Sequence, residues 1–325
     1  MTRTSLHRLW PALAALLLVA GLLAGWWLTS GGTDSYPRGV DGFATGVPNG
    51  VYDRYGTMLQ QYLRTALPGV ELRLDRSQGS VDNLERVASG RDDFAIATAD
   101  AVADYQAQRQ GDDRLRAIAR LYDDYLQLVV PVDSKIQKVA DLRTLRVGVG
   151  QSKSGVNLVT RRLLTAAGID PDHGIQPALL GVGDEAQQLA AGKLDAFFWS
   201  GGLPTSALTD LAGTMPIRIV PLGDLTDALH SQFADSAAYR TAVLPAGIYP
   251  RNPAVLTMAV PNLLITREDL DPRLVERLTR AVIDSRDWIG GQVHSAQLVD
   301  LRTAVYTDPL PLHEGARRYY RSVKP

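Results

Sequence analysis

Val87-Ala88-Ser89-Gly90-Arg91-Asp92-Asp93-Phe94-Ala95 can be laid against Leu189-Ala190-Ala191-Gly192-Lys193-Leu194-Asp195-Ala196-Phe197. In both stretches a helix runs into a glycine, an Asp follows, and an apolar strand begins. The glycine accepts the left-handed conformation that ends a helix. At the same offset Gly79 meets Gly181 and Asp82 meets Asp184. This internal similarity predicts two α/β units built alike, not one long sheet.

The surroundings of each copy extend the pattern. Before the first copy, residues 42–46 form a short strand entering a glycine loop. Residues 52–67 carry apolar side chains at helical spacing through Tyr55, Leu59 and Leu63, and Pro68-Gly69 ends that helix. Residues 70–74 alternate like a strand, and residues 82–89 read as a helix that stops at Gly90. Around the second copy, residues 145–150 are a strand entering a Gly/Ser loop. Residues 156–167 form a helix ended by Gly168, residues 184–191 a helix ended by Gly192, and residues 196–199 a strand. Strands alternating with helices predict open α/β sheets. Such sheets bind ligands outside the carboxyl ends of their strands.

The fold class expected is therefore α/β: two similar open α/β lobes joined by a hinge, with a ligand cleft between them. Residues 126–131 are expected to cross from lobe 1 to lobe 2, and residues 254–260 to cross back. This gives lobe 1 over 42–130, lobe 2 over 131–250, and a return to lobe 1 over 251–325. The helices after Asp271 are expected on the outside of lobe 1. Asp92-Asp93 reads as a strand start and Asp123-Asp124 as a turn.

An N-terminal hydrophobic helix precedes the lobes. Arg3, His7 and Arg8 stand before an apolar run over residues 9–28, long enough to span a bilayer. Trp26-Trp27 resembles an interfacial belt, and no Ala-x-Ala follows. Residues 1–32 are expected to be an uncleaved signal-anchor or a cleaved signal peptide, and residues 33–41 a linker. Either way the rest of the chain lies outside the cytoplasm, at the cell membrane or secreted.

Composition narrows the chemistry. With 34 Lys+Arg against 35 Asp+Glu, no basic excess is present to neutralise nucleic acid. With no cysteine, thiolate nucleophiles and Cys-ligated metals are excluded. No Walker A or His-Glu-x-x-His motif occurs, and residues 150–154 lack the closing glycine of a nucleophile elbow. The histidines are scattered. No catalytic residue, metal site or cofactor is expected, and the protein reads as a binding protein rather than an enzyme.

Three loops stand where strand ends meet helix starts: residues 45–52, 79–83 and 150–157. Each offers glycine for close approach to a ligand, and each leads into a helix N-terminus, whose free N–H groups favour a carboxylate. Ser80 and Ser154 bring hydroxyls that either cap those helices, contact a ligand, or do both. Lys153 either pairs with a ligand carboxylate or is solvated. Tyr52, Tyr122, Trp199 and Tyr249 either wall the cleft or pack in the core. Asp100 either receives a ligand ammonium or caps the next helix.

An ordered set of segments resembles the TAXI family of TRAP transporter solute-binding proteins. It comprises Gly79-Ser80-Val81-Asp82-Asn83-Leu84, Arg116-Ala117-Ile118-Ala119, and Arg146-Val147-Gly148-Val149-Gly150. It continues through Asp195-Ala196-Phe197-Phe198, Gly202-Leu203-Pro204, Pro245-Ala246-Gly247-Ile248-Tyr249-Pro250 and His313-Glu314-Gly315-Ala316. The resemblance spans nearly all of the chain after Gly42. It implies a two-lobed binding-protein fold and capture of a small organic acid or amino acid, with glutamate-like or dicarboxylate ligands favoured. It also implies delivery to a TRAP-type membrane permease. The alternative role is a ligand-sensing adaptor that presents its bound form to a membrane signalling partner. By family position the ligand-binding residues include Gly50 and Tyr52, Thr98 and Asp100, Ser154 and Gly155, and Trp199. Val51, Ala99 and Val156 stand where the family often has hydroxyl residues.

Overall fold

The computed structural model describes residues 39–324, apart from 110 and 112. The expected N-terminal hydrophobic helix and most of the expected linker lie outside the described residues. Among the described residues no helix is long and apolar enough to cross a membrane.

The first lobe begins with β1 (Gly39–Ala44), α1 (Val51–Ala66), β2 (Val70–Asp75), α2 (Ser80–Ser89), β3 (Phe94–Thr98) and α3 (Ala99–Gln108). β1 lies between β2 and β3, parallel to both. It starts at Gly39, inside the stretch expected to be linker, because Gly39, Val40 and Asp41 pair with Val70, Glu71 and Leu72. Next comes the long strand β4 (Leu115–Pro131).

The second lobe contains β5 (Arg146–Gly148), α4 (Gly155–Ala166), β6 (Gln176–Ala178), α5 (Val182–Ala190) and β7 (Ala196–Gly201). It continues with α6 (Ser206–Thr214), β8 (Ile217–Val220), α7 (Thr226–Gln232) and β9 (Arg240–Leu244). The chain returns along β10 (Val255–Arg267) and ends with α8 (Pro272–Asp284), α9 (Arg286–Gly290) and α10 (Glu314–Val323).

β4 and β10 connect the two halves. The ten strands thus form one continuous hydrogen-bonded sheet in the order β2-β1-β3-β10-β4-β7-β5-β6, with β8 on β4 and β9 on β10, and not the separate sheets expected. β4 and β10 run antiparallel, with Tyr125 opposite Ala259 and Asp123 opposite Pro261, and their register shifts between Pro261 and Leu263. On the near side of this point β10 pairs with β3, through Asn262–Thr98 to Thr266–Phe94. On the far side β4 pairs with β7 and β8, and β10 with β9. The crossing thus lies at residues 123–125 and 259–262, earlier on the first strand than expected, since residues 126–131 already pair within the second lobe.

This placement corrects the expected turn at Asp123-Asp124. Both residues sit in the middle of β4, held by pairing to Val260 and Pro261. Each lobe has its own core. Phe43, Leu59, Phe94 and Leu264 pack with Val275 and Val282 of α8 and Tyr319 of α10, so these C-terminal helices cover the first lobe. Val147, Leu163, Phe197 and Ile219 centre the second. Burying such side chains contributes roughly 1.5–3 kcal/mol apiece.

Candidate functional site

The cavity lies where the strand ends of both lobes point at each other. On the first lobe, β1 ends at Ala44 and passes into Thr45 and Gly46. Gly46 N donates to Ser77 Oγ at 2.8 Å, and Ser77 Oγ donates to Asn83 Oδ1. Asn83 Nδ2 then reaches Ile96 O at 2.7 Å. This buried relay ties two loops to α2 and β3, fixing the first wall.

Gly79 caps α2 at φ +126°, a conformation that disfavours any side chain. Ser80 is therefore the first helical residue, not the cap. Its Oγ accepts from Thr98 N at 3.2 Å and lies 3.3 Å from Tyr52 Oη. Tyr52 Oη donates to Asn262 Oδ1. Asn262 Nδ2 donates to Asp124 Oδ1 at 2.7 Å.

On the second lobe Ser154 caps α4. Its Oγ accepts from Asn157 N at 3.0 Å and donates to Gln151 O at 2.7 Å. Glu185 sits behind this loop, fully buried. Its Oε1 accepts from Gly150 N at 3.0 Å, and its Oε2 has no partner. Burial pushes this carboxyl well above its usual range, against the opposing hydrogen bond from Gly150 N.

The two walls touch. A Cβ on Gly79 would lie 3.1 Å from Ser154 Cβ, and one on Gly155 would lie 3.0 Å from both Ser80 Oγ and Thr98 Oγ1. Lobe-to-lobe hydrogen bonds join Asp82 N to Lys153 O at 3.0 Å and Ser152 Oγ to Gln78 Oε1 at 3.0 Å. Lys153 Nζ reaches Glu85 at 2.7 Å. The cleft is closed around a cavity of about 50 Å³. At roughly 10–15 Å³ per water-sized group, that is room for a small solute.

Seven of the ten residues singled out from sequence meet at this cavity: Gly50, Tyr52, Ser80, Thr98, Ser154, Gly155 and Trp199. Trp199 spends its indole N–H on Thr205 Oγ1 at 2.9 Å, so its ring is what the cavity receives.

Three others lie elsewhere. Lys153 stands outside, paired with Glu85 of the other lobe. Asp100 neither lines the cavity nor caps α3; its Oδ2 accepts from Tyr239 Oη at 2.6 Å. Tyr249 is buried in the second lobe, where its hydroxyl accepts from Thr205 N at 3.3 Å.

The most consequential residue missed by sequence reasoning is Asp124. It is 2% exposed and lines the cavity floor at the lobe crossing. Burial pushes its carboxyl up to about 7, against the opposing hydrogen bond from Asn262. Ser200, Gln78 and Gln151 also line the cavity. The alternation of β4 would have placed Asp124 on one face with Tyr122 and Leu126, had its strand been recognised.

Residues 43–323 match the NMT1-like family. The chain belongs to that family. Solved structures share its fold. A putative L-cystine ABC transporter protein from Listeria monocytogenes superposes with TM-score 0.52 at 14% identity, over 80% of this chain and 98% of that one. A protein from Bordetella bronchiseptica RB50 gives 0.54 at 16% identity, over 88% and 90%. An ancestral arginine-binding protein bound to arginine gives 0.50 at 15% identity, over 78% and 98%. The α/β architecture of this NMT1-like chain is thus shared with these solved structures.

Proposed function

We propose that this protein is an extracytoplasmic solute-binding subunit. It captures a small organic acid or amino acid by cleft closure and delivers it to a membrane transporter. The observation that supports this most is the meeting of two helix N-termini, at Ser80 and Gly155, from opposite lobes across one cavity. Free N–H groups and helix dipoles there favour an anionic group. The two long strands beneath leave the lobes free to part and close. A ligand touching both walls stabilises the closed form by its preference for it.

The ordered TAXI-like segments favour a TRAP-type permease as the partner, with residues 1–32 placing the lobes outside the membrane. Gly50, Tyr52, Ser80, Thr98, Ser154, Gly155 and Trp199 are the proposed contact residues.

The test is thermal unfolding and calorimetric titration against amino acids, monocarboxylates and dicarboxylates. A ligand at 100 times its dissociation constant adds about 2.7 kcal/mol, a shift of a few degrees or more. The reading fails if none of these solutes binds, or if binding leaves the lobe separation unchanged in solution scattering.

A further inference from the structure

We infer that the ligand is a small zwitterionic amino acid with a neutral side chain, its ammonium on Asp124 and its carboxylate at the facing helix N-termini. This rests on the solute-binding reading above and names the solute class.

Charge in the cavity carries the argument. Among the lining residues there is no Lys, Arg or His, and Asp124 is the single carboxylate. The adjacent Asp123 takes two arginines, Arg120 at 2.7 Å and Arg240 at 2.9 Å. Successive residues of a strand face opposite sides, so those guanidiniums serve the other side of β4. Asp124 has one hydrogen-bond partner among the described residues, the neutral amide of Asn262. A buried carboxylate without a countercharge is costly, and a ligand cation relieves that cost.

A second group points the same way. Ser200 lines the same cavity, is nine-tenths buried, and its Oγ has no hydrogen-bond partner. It lies opposite Leu126 on the neighbouring strand, and so shares a face with Asp124. An ammonium has three donors; Asp124 and the Ser200 hydroxyl both accept.

The helix starts that line the cavity are anion-seeking. Gly50, Gly79, Ser154 and Gly181 are the caps of α1, α2, α4 and α5, and all four line the cavity. One carboxylate is accommodated there. A second would meet no cation and would face Asp124, which disfavours the dicarboxylates that the family resemblance suggests. Val47, Val51, Val156, Leu180 and Trp199 make the remaining wall apolar, which suits a short neutral side chain.

Matched ligands test this by titration calorimetry on the intact protein. L-alanine and L-serine are compared with propionate, which lacks the ammonium, and with succinate and L-glutamate, which add a carboxylate. Alanine is expected to bind roughly 10- to 100-fold more tightly than propionate, the range for a charged hydrogen bond. Succinate and glutamate are expected to bind more weakly still.

Asp124→Asn keeps an acceptor for Asn262 and should bring alanine down to the affinity of propionate, leaving propionate unchanged or improved. Alanine affinity is also expected to rise with pH through about 7, as Asp124 loses its proton. The charged or titratable neighbours acting on it are Tyr52 of α1, Asp100 of α3, and Tyr122 and Asp123 of its own strand. Succinate or propionate binding as tightly as alanine, or Asp124→Asn retaining full alanine affinity, would overturn the inference while the solute-binding reading stands. Absence of binding by every compound would overturn both.

Discussion

Asp104→Asn should open the cleft of the protein when it is free of ligand. Arg162 of α4 is almost fully buried and donates to Asp104 Oδ1 on α3 at 3.1 Å, to Asp235, and to Tyr239 Oη at 3.1 Å. Tyr239 passes the chain on to Asp100. Asp100 and Asp104 belong to the first lobe, and Arg162, Tyr239 and Asp235 to the second. Two links therefore cross between lobes, Arg162–Asp104 and Tyr239–Asp100, and opening breaks both.

The magnitude follows from burial. Exposed pairs contribute about 0–1 kcal/mol, whereas breaking a fully buried one costs about 3–5 kcal/mol. The Asp104 side chain is 25% exposed, and burial outweighs the Arg162 attraction in holding its carboxyl above the ordinary range. Asp235 still neutralises Arg162 after the substitution. A loss of about 1–2 kcal/mol from the closed form is therefore expected, a shift of roughly 5- to 30-fold towards open.

Solution scattering of the unliganded protein reads the lobe separation directly, and ligand affinity should fall as the closed fraction falls. Asp172→Asn is the control, because its pair with Arg161 at 2.7 Å lies wholly within the second lobe. An Asp104→Asn protein as compact as the parent, with the same affinity, would refute the latch.

Other expectations concern the walls. Gly79→Ala adds a methyl 3.1 Å from Ser154 at a left-handed φ, so closure should weaken by about 1–3 kcal/mol while each lobe stays folded, read by scattering against thermal unfolding. Ser154→Ala removes the α4 cap and should cost about 1 kcal/mol of stability in denaturant titration, and it should also weaken ligand binding. Tyr52→Phe frees the Asn262 amide and should lower affinity without unfolding; unchanged affinity in both variants would dismiss this wall as the site. Glu185→Gln tests the upward shift of the buried Glu185 carboxyl. Its folded pKa is raised, so the stability it contributes is complete below the unfolded value and declines as pH rises. The Gln variant should match the parent near pH 4 and exceed it at pH 8 in thermal unfolding.

The parts of this site that are legible in sequence are those written in local grammar. Gly79, Gly150 and Gly155 stand where a chain must turn from strand to helix, and the repeat around Gly90 and Gly192 shows that this happens in both lobes. Asp124 illustrates what local grammar hides. Tyr122-Asp123-Asp124-Tyr125 has the composition of a turn, and only pairing with Val260 and Pro261, more than a hundred residues away, makes it the middle of a strand. Asp100 is the converse. It stands just after a strand end, where ligand contacts were expected, yet Tyr239 claims it across the cleft and leaves the cavity floor to Asp124. In the proposed reading the loops mark where a ligand binds, whereas the hinge strands, whose partners are distant, set which charge it carries. A chain with the same loops and a neutral residue at position 124 would close on its ligand by the same geometry and choose a plain carboxylate instead.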